Sequence, residues 1–236
     1  MTTLTTIVQH LADQLSETVS APVPGNSLIK NKENAMALFT ALSGMFPAKQ
    51  VSPLHAQQDG ALPEALYGLA EVGATDYAGV EVSHVSAFNV SVRAETYKQL
   101  CEKVDEIEEY LQNQAGYDVV DSAEAYDDLR SAYRADLAID ICRPTADVVV
   151  IELSNQMIDA GFMGKGCTDA DYQTAYAVVH HAVDNDALTA LRALTEAQLH
   201  NYRPTDYNAM ILQGGEILPA AGGLCAWVNT YTHQTQ

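Results

Sequence analysis

A change of hydrophobic period at Ala94 constrains the fold of this chain more than any other feature. Before it, residues 80–92 alternate between an apolar-rich face and a mostly polar face, as a strand with one buried face does. After it, residues 95–113 repeat apolar side chains every three or four positions, as an amphipathic helix does. A long strand leading directly into a helix predicts that the helix packs against the sheet that contains the strand.

The rest of the chain divides into shorter periodic segments, each typical of one element. Helices are predicted over residues 4–19, 63–70, 172–183 and 188–194, with a further short helix starting at Thr195. Strands are predicted over residues 35–42, 117–121, 133–142, 148–153, 207–218 and 223–231. Thr168 and Asp171 match the S/T-x-x-D/E pattern that commonly starts a helix.

The order strand, helix, strand, strand occurs twice, over residues 79–142 and 147–231. No sequence identity links the two stretches, so the repeat is a hypothesis about topology. Long alternating strands with segregated helices predict an α+β fold, with a mostly antiparallel sheet and helices packed on one face. We expect two units, 1–143 and 144–236, which could also form one continuous domain.

The charge of the chain excludes two classes of partner. There are 31 acidic side chains against 12 basic ones, for a net charge of −19. A nucleic-acid-binding protein needs clustered lysine and arginine, and an anionic membrane surface attracts the same residues. Apolar runs such as residues 148–151 are also too short to span a bilayer, so we expect no membrane contact.

No local motif predicts catalysis, a cofactor or a metal ion. Residues 161–168 are rich in glycine, but they lack the spacing of a phosphate-binding loop. His180 and His181 are adjacent, so they cannot act as the i, i+4 pair that binds zinc from a helix. Cys167 has no histidine close enough along the chain to activate it. We therefore expect a protein that is not an enzyme.

The order of elements can be compared with known families. It consists of a helix, a strand, a second helix and a strand pair, over residues 4–19, 80–93, 95–113 and 117–142. A Tyr-Arg-Pro turn at 202–204 and two strands, the second containing Trp227, complete it. This order resembles the tail-terminator and tail-completion proteins of long-tailed bacteriophages. The resemblance implies a structural protein of the virion tail or neck, made in the host cytoplasm.

The resemblance also implies a ring, usually of six subunits, that ends the tail tube and joins it to neck proteins. DNA would pass through this ring without specific binding, and an acidic lumen would keep it from adhering. We expect the channel lining on the 95–113 helix or in a loop at 118–128, with four candidates on the helix: Glu102, Asp105, Glu106 and Glu109. The candidate interface residues are Glu124, Tyr126, Asp127 and Asp128 at a hairpin tip, and Trp227.

Two other interpretations stay open. Another component of the tail tube, sheath or baseplate would share the acidic composition and the lack of catalytic motifs. A cytosolic enzyme or small-molecule binder would assemble its site from residues that are distant in sequence, which local motifs do not reveal.

Overall fold

The computed structural model describes residues 3–22, 27–53, 61–159, 171–204 and 208–234. Within these residues the helices are α1 (Thr3–Gln14), α2 (Ser27–Met45), α3 (Tyr97–Gln112) and α4 (Asn185–Leu199). The strands are β1 (Val19–Ser20), β2 (Val51–Pro53), β3 (Glu64–Tyr77), β4 (Val80–Ala94), β5 (Tyr117–Asp127), β6 (Ala132–Pro144), β7 (Val148–Asp159), β8 (Asp171–Ala182), β9 (Ile211–Leu218) and β10 (Cys225–Gln234). They form two mostly antiparallel sheets, so the protein is α+β, as predicted.

The two sheets have the same topology. The first has the order β2-β3-β4-β6-β5, and the second has the order β1-β7-β8-β10-β9. In each, a helix and a short strand precede a long hairpin, and a second helix separates this hairpin from another pair of strands. The short strand lies parallel to the first long strand in both sheets, and the other pairs are antiparallel. The order strand, helix, strand, strand is therefore present twice, as β4-α3-β5-β6 and β8-α4-β9-β10.

One of the two units is split in sequence by the other. Residues 27–144 form the first unit, and residues 3–20 together with residues 148–234 form the second unit. This differs from the predicted division into 1–143 and 144–236, because the N-terminal helix and strand belong with the second sheet.

The contacts of α1 explain this assignment. Ile7 and Leu11 are fully buried and pack in one cluster with Val148 and Val150 of β7. Val19 of β1 pairs with Val148 as well. Such pairing joins segments far apart in the chain, and no local pattern reveals it.

Helices cover one face of each sheet. In the first unit, α2 and α3 pack on apolar side chains of the sheet, among them Phe88, Val90, Leu137 and Ile139. In the second unit, α1 and α4 cover a matching cluster that includes Tyr176, Val178 and Tyr231. This arrangement buries the apolar sides of α3 and α1, the two helices that the spacing of apolar residues predicted most clearly.

The two units are joined through the other face of the second sheet. Val149, Val179 and Val228 on that face are buried in one cluster with Val82 of β4. The tip of the β3–β4 hairpin also reaches this face, where the Tyr77 hydroxyl lies 3.5 Å from a Glu216 carboxylate oxygen. The first unit therefore covers this face of the second sheet. The corresponding face of the first sheet, which we call the open face, carries none of the described helices.

Four predicted elements are wrong. Residues 35–42 lie in α2 rather than in a strand, because the buried stripe of this helix is narrow and consists of Asn34, Leu38 and Leu42. Residues 63–70 enter β3 rather than a helix, since they pair with β2 and β4. The other predicted strands agree with the observed ones apart from their ends.

The third error is β8, which was predicted as a helix over 172–183. It is a central strand of its sheet, and every residue from Val178 to His181 is buried. A strand buried on both faces has apolar residues at every position, so helical spacing also fits it. Thr195 does not start a separate helix, because it lies inside α4 and its hydroxyl donates to the Leu191 carbonyl at 2.9 Å.

Candidate assembly surfaces

The predicted interface residues at the β5–β6 turn lie at one corner of the first sheet. Asp127 caps this turn, since its carboxylate accepts from the backbone N–H groups of Leu129 and Arg130. It also lies 3.3 Å from the Arg93 guanidinium. Asp128 is exposed beside it. Asp127 therefore has a structural part in holding the turn.

A buried carboxylate ties the same turn to the sheet. Glu64 is 3% exposed, and its carboxylate lies 3.2 Å from Arg93 and 3.0 Å from Arg130. Two cations shared by one buried acid hold three segments of chain in a fixed arrangement. The β5–β6 turn, where interface residues were predicted, is thus anchored to the sheet.

Three tyrosines form an exposed aromatic patch next to this turn. Tyr126 and Tyr97 each contact Tyr133 edge to face, with ring centroids 5.2 and 5.8 Å apart. Tyr133 is 36% exposed. The Tyr97 hydroxyl donates to Glu124 at 2.9 Å, and this hydrogen bond is the main reason that its pKa is raised to about 12. The fold brings the predicted residues Glu124 and Tyr126 together in one patch, whose aromatic rings are typical of interface anchors.

Trp227 lies far from this patch, under α4 in the second unit. The Arg192 guanidinium sits 3.7 Å from the centroid of its ring, and its indole N–H donates to Asn229 at 2.8 Å. Asn229 in turn donates to Glu196 of α4 at 2.9 Å. Trp227 is half-buried and borders a groove of about 420 Å³ between α4 and the second sheet. Within the chain its contacts are those of a core side chain that holds a helix in place.

The four predicted channel-lining residues all lie on the exposed side of α3. They are Glu102, Asp105, Glu106 and Glu109. Two of them are paired with lysines of the same helix: Lys98 lies 3.6 Å from Glu102, and Lys103 lies 2.6 Å from Glu106. The geometry agrees with an acidic helix surface, and their position at a channel stays a prediction.

A second acidic surface was only partly expected from the sequence, because the segment 118–128, predicted as a channel-lining loop, is strand β5 up to Asp127 and supplies two of its residues. Besides the buried Glu64, strand register places five carboxylates on the open face of the first sheet: Glu71, Asp118, Asp121, Asp136 and Asp140. Small side chains lie between them at Ala87 and Ala138. The alternation of β6 already predicts Asp136 and Asp140 outside the core. Only the register of β3 and β5 shows that the other three lie beside them.

The carboxylates of this open face influence one another. The pKa of Asp140 is raised, first by partial burial and then by the negative charges of Asp118 and Glu71. Among the described residues, Asp136 forms an ion pair, with Arg134, whereas Glu71, Asp118, Asp121 and Asp140 have none. These four carboxylates therefore carry negative charge that no cation among the described residues pairs with.

The residues considered for catalysis are placed as follows. His180 and His181 lie on β8, and burial lowers the pKa of both, to about 4 for His180. Residues 161–168, including Cys167, lie outside the described residues. Among those described, no group of three or more histidine, cysteine or acidic side chains is arranged to bind a metal ion. No helix in the described part of the chain is long and apolar enough to cross a membrane.

Comparison with known proteins adds nothing to this geometry. No protein-family model, no curated protein and no solved structure matches the chain.

Proposed function

We propose that this protein is a structural subunit of a phage virion, which forms a ring at the end of the tail tube and joins the tube to the head. The observation that carries the proposal is the acidic open face of the first sheet. It lies on a unit in which the order strand, helix, strand, strand over residues 80–142 matches part of the order that resembles tail-terminator proteins, and this order occurs twice in the chain. The ring is proposed to contain about six chains and to contact tail-tube and neck proteins.

The physical reason concerns DNA. Phosphates passing through a ring adhere wherever cations line the wall, because each contact releases bound counterions. A wall with unpaired carboxylates repels the phosphates instead. The open face supplies such a wall through Glu71, Asp118, Asp121 and Asp140, which form no ion pair with the described cations.

The open face and the acidic side of α3 compete for this position. They lie on opposite sides of the first sheet, since α3 packs against the other face. Only one of them can face the channel in a ring. We assign the channel to the open face, because lysines already neutralise Glu102 and Glu106 on α3.

Location in the particle tests the function. Virions carrying a peptide tag on this protein would be labelled with gold-conjugated antibody and imaged by electron microscopy. We expect one cluster of label at the junction of head and tail. Label along the tail or at its tip would indicate a tube, sheath or baseplate component, and virions without label would exclude a structural function.

Charge reversal tests the channel assignment. Asp118→Lys combined with Asp140→Lys should allow particles to form but slow DNA ejection, and added salt should relieve the defect. The matched control, Glu102→Lys with Glu106→Lys, should eject DNA at the normal rate. A slow control with a normal open-face variant would assign the channel to α3 instead.

A further inference from the structure

Strand β9 ends the second sheet and leaves its outer edge without a strand partner among the described residues. Residues 211–217 are all exposed, and three of them are large aliphatic side chains: Ile211 at 58%, Leu212 at 37% and Ile217 at 76%. Its one charged residue is Glu216. An exposed, apolar, weakly charged edge is a template for pairing with another strand.

The equivalent edge of the first sheet is different. Strand β5 occupies the same terminal position, and it carries four acidic residues: Asp118, Asp121, Glu124 and Asp127. Charges along an edge prevent pairing, because a second strand would have to bring its own charges beside them or strip their water. On a chain of net charge −19, β9 is therefore the one of these two long edges at which a second copy meets less repulsion.

The sequence of β9 is complementary to itself. It reads Ile-Leu-Gln-Gly-Gly-Glu-Ile-Leu from Ile211 to Leu218. In an antiparallel pair of two β9 strands centred on the two glycines, Ile211 would face Leu218 and Leu212 would face Ile217. Gln213 would face Glu216, so each carboxylate meets an amide rather than another carboxylate.

The directions of these side chains match as well. Leu212 and Ile217 pair with Tyr231 and Trp227, which both lie under α4, so both point to the helix side of the sheet. Gln213 and Glu216 point to the opposite side. Gln213 donates to Thr232 at 2.8 Å, and Glu216 approaches the tip of the β3–β4 hairpin.

A bulge near residue 213 is what allows this match. The register of β9 against β10 shifts between Thr230 and Tyr231, which adds one residue to β9. In the paired strands, Gly214 and Gly215 would lie opposite each other although they face opposite sides of the sheet. This mismatch costs little, because neither residue carries a side chain. Gly215 is needed inside the chain, since a Cβ there would lie 2.4 Å from the Trp227 indole nitrogen. Gly214 has open space around it, so the chain's own packing does not require glycine there.

We propose that β9 is a docking edge for a second copy of this chain, which adds its own β9 in antiparallel orientation across a two-fold axis. Such a contact is closed, because each residue meets its counterpart in both directions. It is separate from the ring contact proposed above. In the free protein, this pairing of two β9 strands covers the apolar edge of the second sheet.

Sedimentation equilibrium on the purified full chain tests this proposal. We expect a particle of about 51 kDa, twice the 25.5 kDa of one chain. Ile217→Lys should raise its dissociation constant at least about tenfold, since every pair would bury two uncompensated ammonium groups. The matched control is Val120→Lys, which changes an exposed apolar residue on the acidic edge strand β5. The dissociation constant of this variant should equal that of the wild type.

Two variants at position 213 test the register. Gln213→Glu would place like charges opposite each other and should weaken pairing about tenfold. Gln213→Lys would place an ammonium opposite Glu216 and should leave pairing intact or strengthen it. Circular dichroism and urea unfolding would verify that each variant is folded.

The outcomes separate this proposal from the ring. Loss of pairing in Ile217→Lys and Gln213→Glu, with pairing retained in Gln213→Lys and Val120→Lys, supports the β9 contact. A monomeric wild-type chain, or a pair that Ile217→Lys leaves intact, overturns it. A six-chain particle unaffected by Ile217→Lys would overturn the β9 contact and leave the proposed ring standing.

Discussion

Asp136 in the first sheet and Val228 in the second occupy equivalent positions, yet one is acidic and the other is buried apolar. Each lies opposite the second long strand of its sheet, Asp136 beside Ser91 and Val228 beside Val179. Val228 is 1% exposed because the β3–β4 hairpin covers its face, whereas the open face around Asp136 has no such cover. One topology thus accommodates opposite surfaces, and what each face meets determines which residues it carries.

Exchanging these two residues should give the largest effect. Val228→Asp would bury a carboxylate without a partner and should lower the free energy of unfolding by about 4 kcal/mol. Asp136→Val removes a partly exposed pair with Arg134, so it should cost less than about 1 kcal/mol. Urea unfolding of both variants measures the difference. Equal losses of unfolding free energy in the two variants would mean that both faces are in the same environment, which would contradict this account.

Acid should weaken the second unit through His180, whose equivalent in the first sheet is Val92. Burial lowers the pKa of His180 from 6.5 to about 4. Between these values the unfolded chain binds a proton that the folded chain does not, so stability is full above pH 6.5 and decreases as the pH falls towards 4. The loss should approach about 3 kcal/mol.

Replacing this histidine by its counterpart isolates its contribution. His180→Val should flatten the dependence of unfolding free energy on pH over this range, measured by urea unfolding at several pH values. His181, whose pKa burial also lowers, stays in both proteins and cancels in the comparison. Identical slopes for the two proteins would show that His180 takes up its proton in the folded state.

A smaller difference is expected between two carboxylates at equivalent strand starts, Glu64 and Asp147. Glu64→Gln leaves Arg93 and Arg130 without their shared anion, and we expect a loss of about 2 kcal/mol. Asp147→Asn weakens bonds from the Thr18 hydroxyl and N–H, at 2.7 and 2.9 Å, and should cost about 1 kcal/mol. Thermal unfolding ranks the two. A larger loss at position 147 would contradict the importance of the arginine pair.

Local periodicity predicted the elements that have one buried face. Residues 80–92 and 95–113 correspond to β4 and α3, and the acidic side of α3 follows from the same period. It could not predict β8, since a strand buried on both faces is mostly apolar and does not alternate. Nor could it predict that α1 joins the second sheet, because that depends on pairing across the whole first unit.

The surfaces were predicted less completely than the fold. Glu124 and Tyr126 were singled out, but their neighbour Tyr97 lies on another element and is brought in only by packing. The open face depends on the register between β3, β4, β6 and β5, which the sequence of any one strand does not contain. Strand β9 was predicted as a strand, while its terminal place in the sheet follows from topology alone.

The most direct test of the proposed function is an electron cryomicroscopy reconstruction of the tail–neck region of virions that carry this protein. We expect a ring of this chain at the end of the tail tube, with Asp118 and Asp140 of the open face on its inner wall. A ring with this face turned outward would contradict the channel assignment, and density for this chain elsewhere in the particle would contradict the proposed function itself.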